Sequence, residues 1–308
     1  MTRKITYLLL LLLVTVFWGI TFPMIKESLY YISPLNFLFL RFALSSALMI
    51  PLIARSKGVL MKGPIMHGIA AGVLLFIGYY FQTVGLEYTT SARSGIITGL
   101  YVVLVPLFSL VLLRTRPGVP VSLACVFSFL GLLIMSAGSI GSQSIQYGDI
   151  LTIFCAVAYA LQIIYVSRYS KEVETYAFTF YQLLVVAILS GSAIPFSGPG
   201  TLSFPEIVIF TLIFTAVFAG VFAVYISNVA LIHVEASAAG IIFVGEPIFA
   251  AIASVIMLGE ALTIYTVAGG VIMVLSMFLV AYDKYRKEKS CLREKRDPGT
   301  YCEEDSRT

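Results

Sequence analysis

Ten apolar stretches, each near 20 residues long, fill most of this 308-residue chain. They lie at about 5–25, 34–54, 64–86, 92–113, 119–138, 148–167, 175–195, 205–231, 236–258 and 263–283. A helix crossing the hydrocarbon core of a bilayer needs roughly 20 apolar residues at 1.5 Å rise each, so each stretch reads as one crossing. Composition agrees. The chain is 59% hydrophobic and 12% charged, where soluble domains carry about 25% charged residues. The connections are too short to hold a soluble domain.

The basic residues fall on one side of this arrangement. With Arg3 and Lys4 in the cytoplasm and one crossing per stretch, the same side receives Arg55, Lys57, Lys62, Arg114, Arg116, Arg168, Lys171 and eight further residues of the tail, 17 of 20 in all. Only Lys26, Arg41 and Arg93 remain within the membrane or beyond it. Basic loops resist translocation, so the pattern supports both the count and the orientation. The expectation is a multi-pass protein of the cytoplasmic membrane with both ends in the cytoplasm.

Several function classes drop out on the same grounds. The formal charge of +4 reflects loop bias and a basic tail suited to anionic headgroups, not nucleic-acid binding. Cys125 and Cys155 fall within spans, and Cys291 and Cys302 in the tail, so no disulfide framework is expected. His67 and His233 are far apart and read as interfacial residues. No Cys/His cluster has metal-ligand spacing, and no cofactor is expected. The first apolar run continues through Trp18 to Ile25 without a cleavage site, so it reads as a retained span. Residues 284–308 read as a short helical extension fraying into disorder.

Five spans followed by five more would send the second set into the membrane from the opposite side, so similarity between the sets implies an inverted repeat. A shift of 141 residues sets Trp18 on Tyr159, Phe37 on Phe178, Arg41 on Gln182, and Pro106-Leu107-Phe108 on Pro247-Ile248-Phe249. A shift of 145 sets Gly95-Ile96-Ile97 on Gly240-Ile241-Ile242. The fold expected is therefore all-α and membrane-integral: ten transmembrane helices in two inverted five-helix repeats, 1–141 and 142–283, around a central cavity. Such halves give two nearly equivalent packings with a site near the midplane.

Particular residues carry a family resemblance. Phe17-Trp18-Gly19-Ile20-Thr21-Phe22 with Lys26 resembles the first-span signature of EamA-type transporters in the drug/metabolite transporter superfamily. Arg41-Phe42, the junction Gly85–Ala92, Thr98-Gly99-Leu100-Tyr101 through Pro106, Gly148-Asp149-Ile150-Leu151, and Glu246-Pro247 with Leu258-Gly259-Glu260 resemble later elements of that family. Span four departs from it, ending in Leu113-Arg114-Thr115-Arg116 where many relatives carry a Gly-Glu pair. The resemblance implies ten helices, two inverted halves, and a cavity for small metabolites, often amino acids or related compounds moving outward.

Candidate site residues follow from depth and chemistry. Arg41 sits about seven residues into span two, where a cation must face protein or water. It reads either as an anchor for a solute carboxylate or as a pin between helices. Glu246 sits about ten residues into span nine beside Pro247, which frees a carbonyl a turn earlier; a carboxyl there can carry a proton and couple transport to a gradient, or can simply stabilise the broken helix. Trp18 and Phe22 share a face of span one. Tyr79 and Gln82, Tyr101, Tyr159 and Gln162, and Asn228 add aromatic and amide groups expected to point inward, either lining the cavity or bonding between helices. Gly68/Gly72, Gly95/Gly99 and the stripe from Ala216 to Ala230 read as close helix packing. Glu87 and Arg93 read as a solvated or locally paired set.

The function expected is secondary transport of a small organic solute, amino-acid-like or amphipathic, as an exporter working by alternating access. No Walker-type loop is present, and no nucleophile–base pair suggests an intramembrane enzyme. Efflux of drugs or cations by proton antiport is the alternative, and a non-transporting structural or receptor protein is the alternative of another class. The partners expected are the solute and the bilayer, with the chain a monomer or homodimer.

Overall fold

The computed structural model describes residues 3–54, 60–140, 146–196, 200–259 and 263–294. Arg55, Lys57, Glu260 and the tail from 295 onward, Cys302 included, lie outside the described residues. Ten helices within it are long and apolar enough to cross a membrane. Seven are continuous helices or nearly so: α1 (Arg3–Ser28), α2 (Pro34–Ile53), α3 (Lys62–Glu87), α6 (Val119–Ile140), α7 (Tyr147–Tyr169), α8 (Thr175–Ala193) and α13 (Ile264–Glu294). The other three are interrupted. Span four is α4 (Ser91–Thr98) plus α5 (Tyr101–Leu112), and span nine is α11 (Ala236–Phe243) plus α12 (Gly245–Leu258). Span eight is α9 (Glu206–Phe214), a π-helical stretch (Thr215–Phe222) and α10 (Ala223–His233). The sequence-based limits hold to within a few residues except at the C-terminus, where α13 continues 11 residues past 283 to Glu294.

Small residues set the closest helix contacts, as lipid offers no hydrophobic drive for helices to associate. A side chain at Gly19 would lie 2.5 Å from Phe249 Cβ, so α1 lies directly on α12. Gly68 and Gly72 of α3 face Tyr181 and Val185 of α8, and Gly131 of α6 meets the backbone of Gly269 in α13. Beyond the bilayer-length helices, the segments after α1 and before α9 join through a single antiparallel bridge between Ile32 and Leu202.

Spans four and nine break at matching places. At a shift of 145, α4 coincides with α11, each eight residues long, and the break falls at Gly99-Leu100 in one and Val244 in the other. Pro106 and Pro247 deprive the carbonyls of Val102 and Phe243 of their helical donors. Side chains replace them: Cys125 Sγ donates to Val102 O at 3.3 Å, and Tyr101 OH to Phe243 O at 2.6 Å. The match extends to the far ends. Gly259 closes α12 in the left-handed conformation with φ 67°, and Arg114, 145 residues earlier, has φ 55°. A left-handed Cβ-bearing residue is strained by roughly 1–2 kcal/mol, so span four keeps the geometry of this helix end without the residue that suits it.

Of the two readings of Glu87 and Arg93, the paired one holds for Arg93, with a partner other than Glu87: it is 2% exposed and ion-paired with the buried carboxylate of Asp149 at the start of α7. Asp149 also accepts from Thr89 Oγ1 at 2.6 Å and from the Gln146 amide at 2.9 Å, closing the α7 cap. Glu87, by contrast, is exposed. Lys26 donates to the Leu86 carbonyl at 2.5 Å, capping α3. Removing one partner of a buried pair costs about 3–5 kcal/mol, while an apolar replacement of both is far milder. Asp149→Asn is therefore expected to lower stability in detergent by about 3–5 kcal/mol, and Arg93→Met with Asp149→Leu by much less. A loss under about 1 kcal/mol for Asp149→Asn would match an exposed pair instead.

Candidate transport cavity

Side chains from α1, α2, α3, α5, α7, α11 and α12 converge on one cavity. Its lining comprises Trp18, Thr21, Arg41, Leu75, Tyr79, Gln82, Tyr101, Tyr159, Gln162, Ile163, Phe243 and Glu246, around some 470 Å³ of unfilled space with its mouth included. Each of these residues lies at least five residues from either end of its membrane-length segment, so the cavity lies within the membrane-spanning region.

Arg41 carries the positive charge. Its guanidinium lies 4.7 Å from the ring centre of Tyr79 and 4.8 Å from that of Phe42, and the residue is 1% exposed. Aromatic faces attract a cation through the ring quadrupole, which holds Arg41 in place without neutralising it. No carboxylate among the described residues forms an ion pair with it, and its Nε has no hydrogen-bond partner. Tyr79 in turn meets Tyr159 edge to face at 5.5 Å.

The carboxyl comes from the break in span nine. Glu246 follows the break directly, in the first turn of α12, and Tyr101 OH lies 2.9 Å from its Oε2. Since Tyr101 also bonds Phe243 O, one hydroxyl ties the carboxyl to the break. Positions 101 and 246 are matched by the 145-residue shift, so the two breaks meet through their equivalent residues.

Amides and an indole complete the wall. Gln82 accepts from Tyr159 OH at 3.2 Å and reaches Thr98 at 3.5 Å. Gln162 donates to Gln182 Oε1 at 3.2 Å. Trp18 Nε1 donates to Ala219 O at 3.0 Å, and Ser45 Oγ to Ala216 O at 3.0 Å. Both carbonyls belong to the π-helical stretch, whose wide turn lets side chains into the backbone ladder.

Eight of the ten residues singled out from sequence thus share one cavity: Trp18, Arg41, Tyr79, Gln82, Tyr101, Tyr159, Gln162 and Glu246. Two lie elsewhere. Phe22 is 2% exposed and packs with Ile25, Ile32, Phe37 and Leu86 in a separate apolar cluster: one turn beyond Trp18, it has passed the cavity wall. Asn228 donates to Thr179 Oγ1 at 2.9 Å, bonding α10 to α8. Sequence reasoning missed Thr21, Leu75, Ile163 and Phe243. The repeat could have found one of them, since Thr21 falls on Gln162 at a shift of 141. At their shifts Ile163 falls on Phe22 and Phe243 on Thr98, neither of which lines the cavity, and Leu75 falls on Ala216.

Comparison with known proteins gives a consistent answer. The EamA-like transporter family profile matches residues 5–137 and again 146–282. An uncharacterized transporter from Archaeoglobus fulgidus is 33% identical over 273 residues, covering 88% of this chain and 84% of that one. A second from the same organism is 30% identical over 90% of this chain and 98% of its own length. The uncharacterized transporter YvbV of Bacillus subtilis is 27% identical over 88% of this chain and 90% of its own. A protein crystal structure shares the fold with a TM-score of 0.76 over 91% of this chain and 98% of that one, at 18% identity.

Trp18 is the sole tryptophan of the chain and lines the cavity, so its emission reports on whatever enters. A carboxylate-bearing solute without indole fluorescence that enters the cavity is expected to shift that emission saturably. Arg41→Ala should raise the half-saturating concentration at least about tenfold, the worth of one charge-assisted bond. An unchanged titration in Arg41→Ala would place the solute elsewhere.

Proposed function

Because this chain belongs to the EamA-like transporter family, and is accordingly a multi-pass membrane transporter, we propose that it carries a small amino-acid-like or amphipathic zwitterionic solute outward across the cytoplasmic membrane. It would do so as a secondary transporter, by alternating access between two inverted halves. One observation carries the substrate class: Arg41, held by aromatic faces and without a carboxylate partner among the described residues, shares an intramembrane cavity with the single carboxyl Glu246. A guanidinium binds a carboxylate bidentately, and a solute carboxylate would compensate a charge that is costly at that depth. An ammonium group of the same solute would suit Glu246, and the rings of Trp18, Tyr79 and Tyr159 supply apolar walls. The paired breaks in spans four and nine and the double family match support two related halves.

Glu246 also favours a second reading, proton-coupled efflux of a lipophilic cation, since such a solute would want an embedded acid. Arg41 in the same cavity weighs against it through like-charge repulsion. In proteoliposomes, counterflow of a labelled panel (neutral amino acids, purine derivatives, small cations, sugar phosphates) separates the two. Accumulation of the amino acids alone supports the zwitterion, and accumulation of the cations alone refutes it. With the solute known, Glu246→Gln is expected to retain counterflow at equal pH on both sides, at a raised half-saturating concentration because the ammonium group loses its charged partner, and to lose acceleration by an imposed pH gradient. Retained acceleration would remove Glu246 from proton coupling.

A further inference from the structure

Tyr101 OH faces two acceptors at once, Phe243 O at 2.6 Å and Glu246 Oε2 at 2.9 Å. A phenol has one proton to donate, so it cannot serve both. If Glu246 is protonated, it donates to the Tyr101 oxygen, Tyr101 donates to Phe243 O, and every group is satisfied. If Glu246 is ionised, it can only accept, and a charge-assisted bond outcompetes a neutral one. The Tyr101 hydroxyl then turns to Glu246, and Phe243 O loses its donor. Pro247 occupies the position that would otherwise supply the helical N–H, so no backbone group of the next turn takes over.

We infer that Tyr101 is a positioning residue that transmits the protonation state of Glu246 to the break in span nine. This rests on reading Glu246 as a group that exchanges a proton with cavity water. Loss of that proton weakens the junction of α11 and α12 and favours a different packing of the span; its return restores the junction. Other groups facing Glu246 set the balance. Arg41 of α2, Tyr79 of α3 and Tyr159 of α7 line the same cavity, and Cys155 of α7 lies within electrostatic reach. From α1 the facing residues are Trp18 and Gly19, from α4 Gly95 lies against Pro247 and Ala250, and Met277 of α13 lies beside Gly245, none of them titratable; Arg93, the ionisable side chain of α4, is paired with Asp149.

Tyr101→Phe removes the hydroxyl and keeps the ring, which meets Phe243 edge to face at 6.4 Å. Hydrogen–deuterium exchange of peptides spanning 240–250, with the full-length protein in lipid nanodiscs, reads the junction directly once corrected for the intrinsic pH dependence of exchange. In the unmodified protein, protection there is expected to fall about two- to tenfold, the worth of one net hydrogen bond, as pH rises through the titration of Glu246. Tyr101→Phe should be pH-independent at the weakly protected level. Glu246→Gln should be pH-independent at the strongly protected level, its amide donating to Tyr101.

A Tyr101→Phe protein that keeps the pH response, while Glu246→Gln loses it, would overturn the role of Tyr101 and leave Glu246 as the proton site. Absence of any pH response in the unmodified protein would overturn both. Should Tyr101→Phe fail to fold, the infrared carboxyl band of Glu246, identified by its loss in Glu246→Gln, decides the matter. A band whose pH titration coincides with the change in protection supports the linkage, and one that titrates separately refutes it.

Discussion

A backbone carbonyl released inside a bilayer has no water to bond to and must find a donor in the protein. This constraint organises the centre of the structure. Prolines release Val102 and Phe243, and a widened turn opens the carbonyls of Ala216 and Ala219. Cys125, Tyr101, Ser45 and Trp18 supply the donors. Two of those four, Tyr101 and Trp18, also line the cavity. The groups that make broken helices tolerable are therefore partly the groups a solute would meet. Movement of a span and occupancy of the cavity share hydrogen bonds.

The second theme is matched position with unmatched chemistry. Tyr101 answers to Glu246, Trp18 to Tyr159, Thr21 to Gln162 and Arg41 to Gln182. All but Gln182 line the cavity, and Gln182 bonds a residue that does. One set contributes a guanidinium, the other a carboxyl. The matched positions of the two halves of the chain thus line one cavity with unlike groups.

Much of this was legible in the residues themselves. Ten crossings were readable because hydrocarbon thickness fixes span length, and eight cavity residues because polar side chains in apolar helices must turn inward. The residues placed elsewhere have physical reasons to be there. Phe22 looked equivalent to Trp18, but aromatic spacing on a helix face does not say where a cavity ends. Asn228 was polar and central, and it found an interhelical partner in Thr179. Arg93 read as either solvated or locally paired because its partner Asp149 lies 56 residues away in sequence. The π-helical stretch in span eight was not legible in the sequence: its composition is apolar like the rest of the span, and the donors that meet its carbonyls, Trp18 and Ser45, come from α1 and α2.

The proposed function requires that the one cavity be reached in turn from each side of the membrane. A single cysteine at Thr21, in a chain cleared of its four native cysteines, tests it with a membrane-impermeant thiol reagent applied to right-side-out and to inside-out vesicles. Modification from both sides, slowed in each case by a transported solute, is the predicted result. Modification from one side only, under every solute and pH condition, would contradict alternating access.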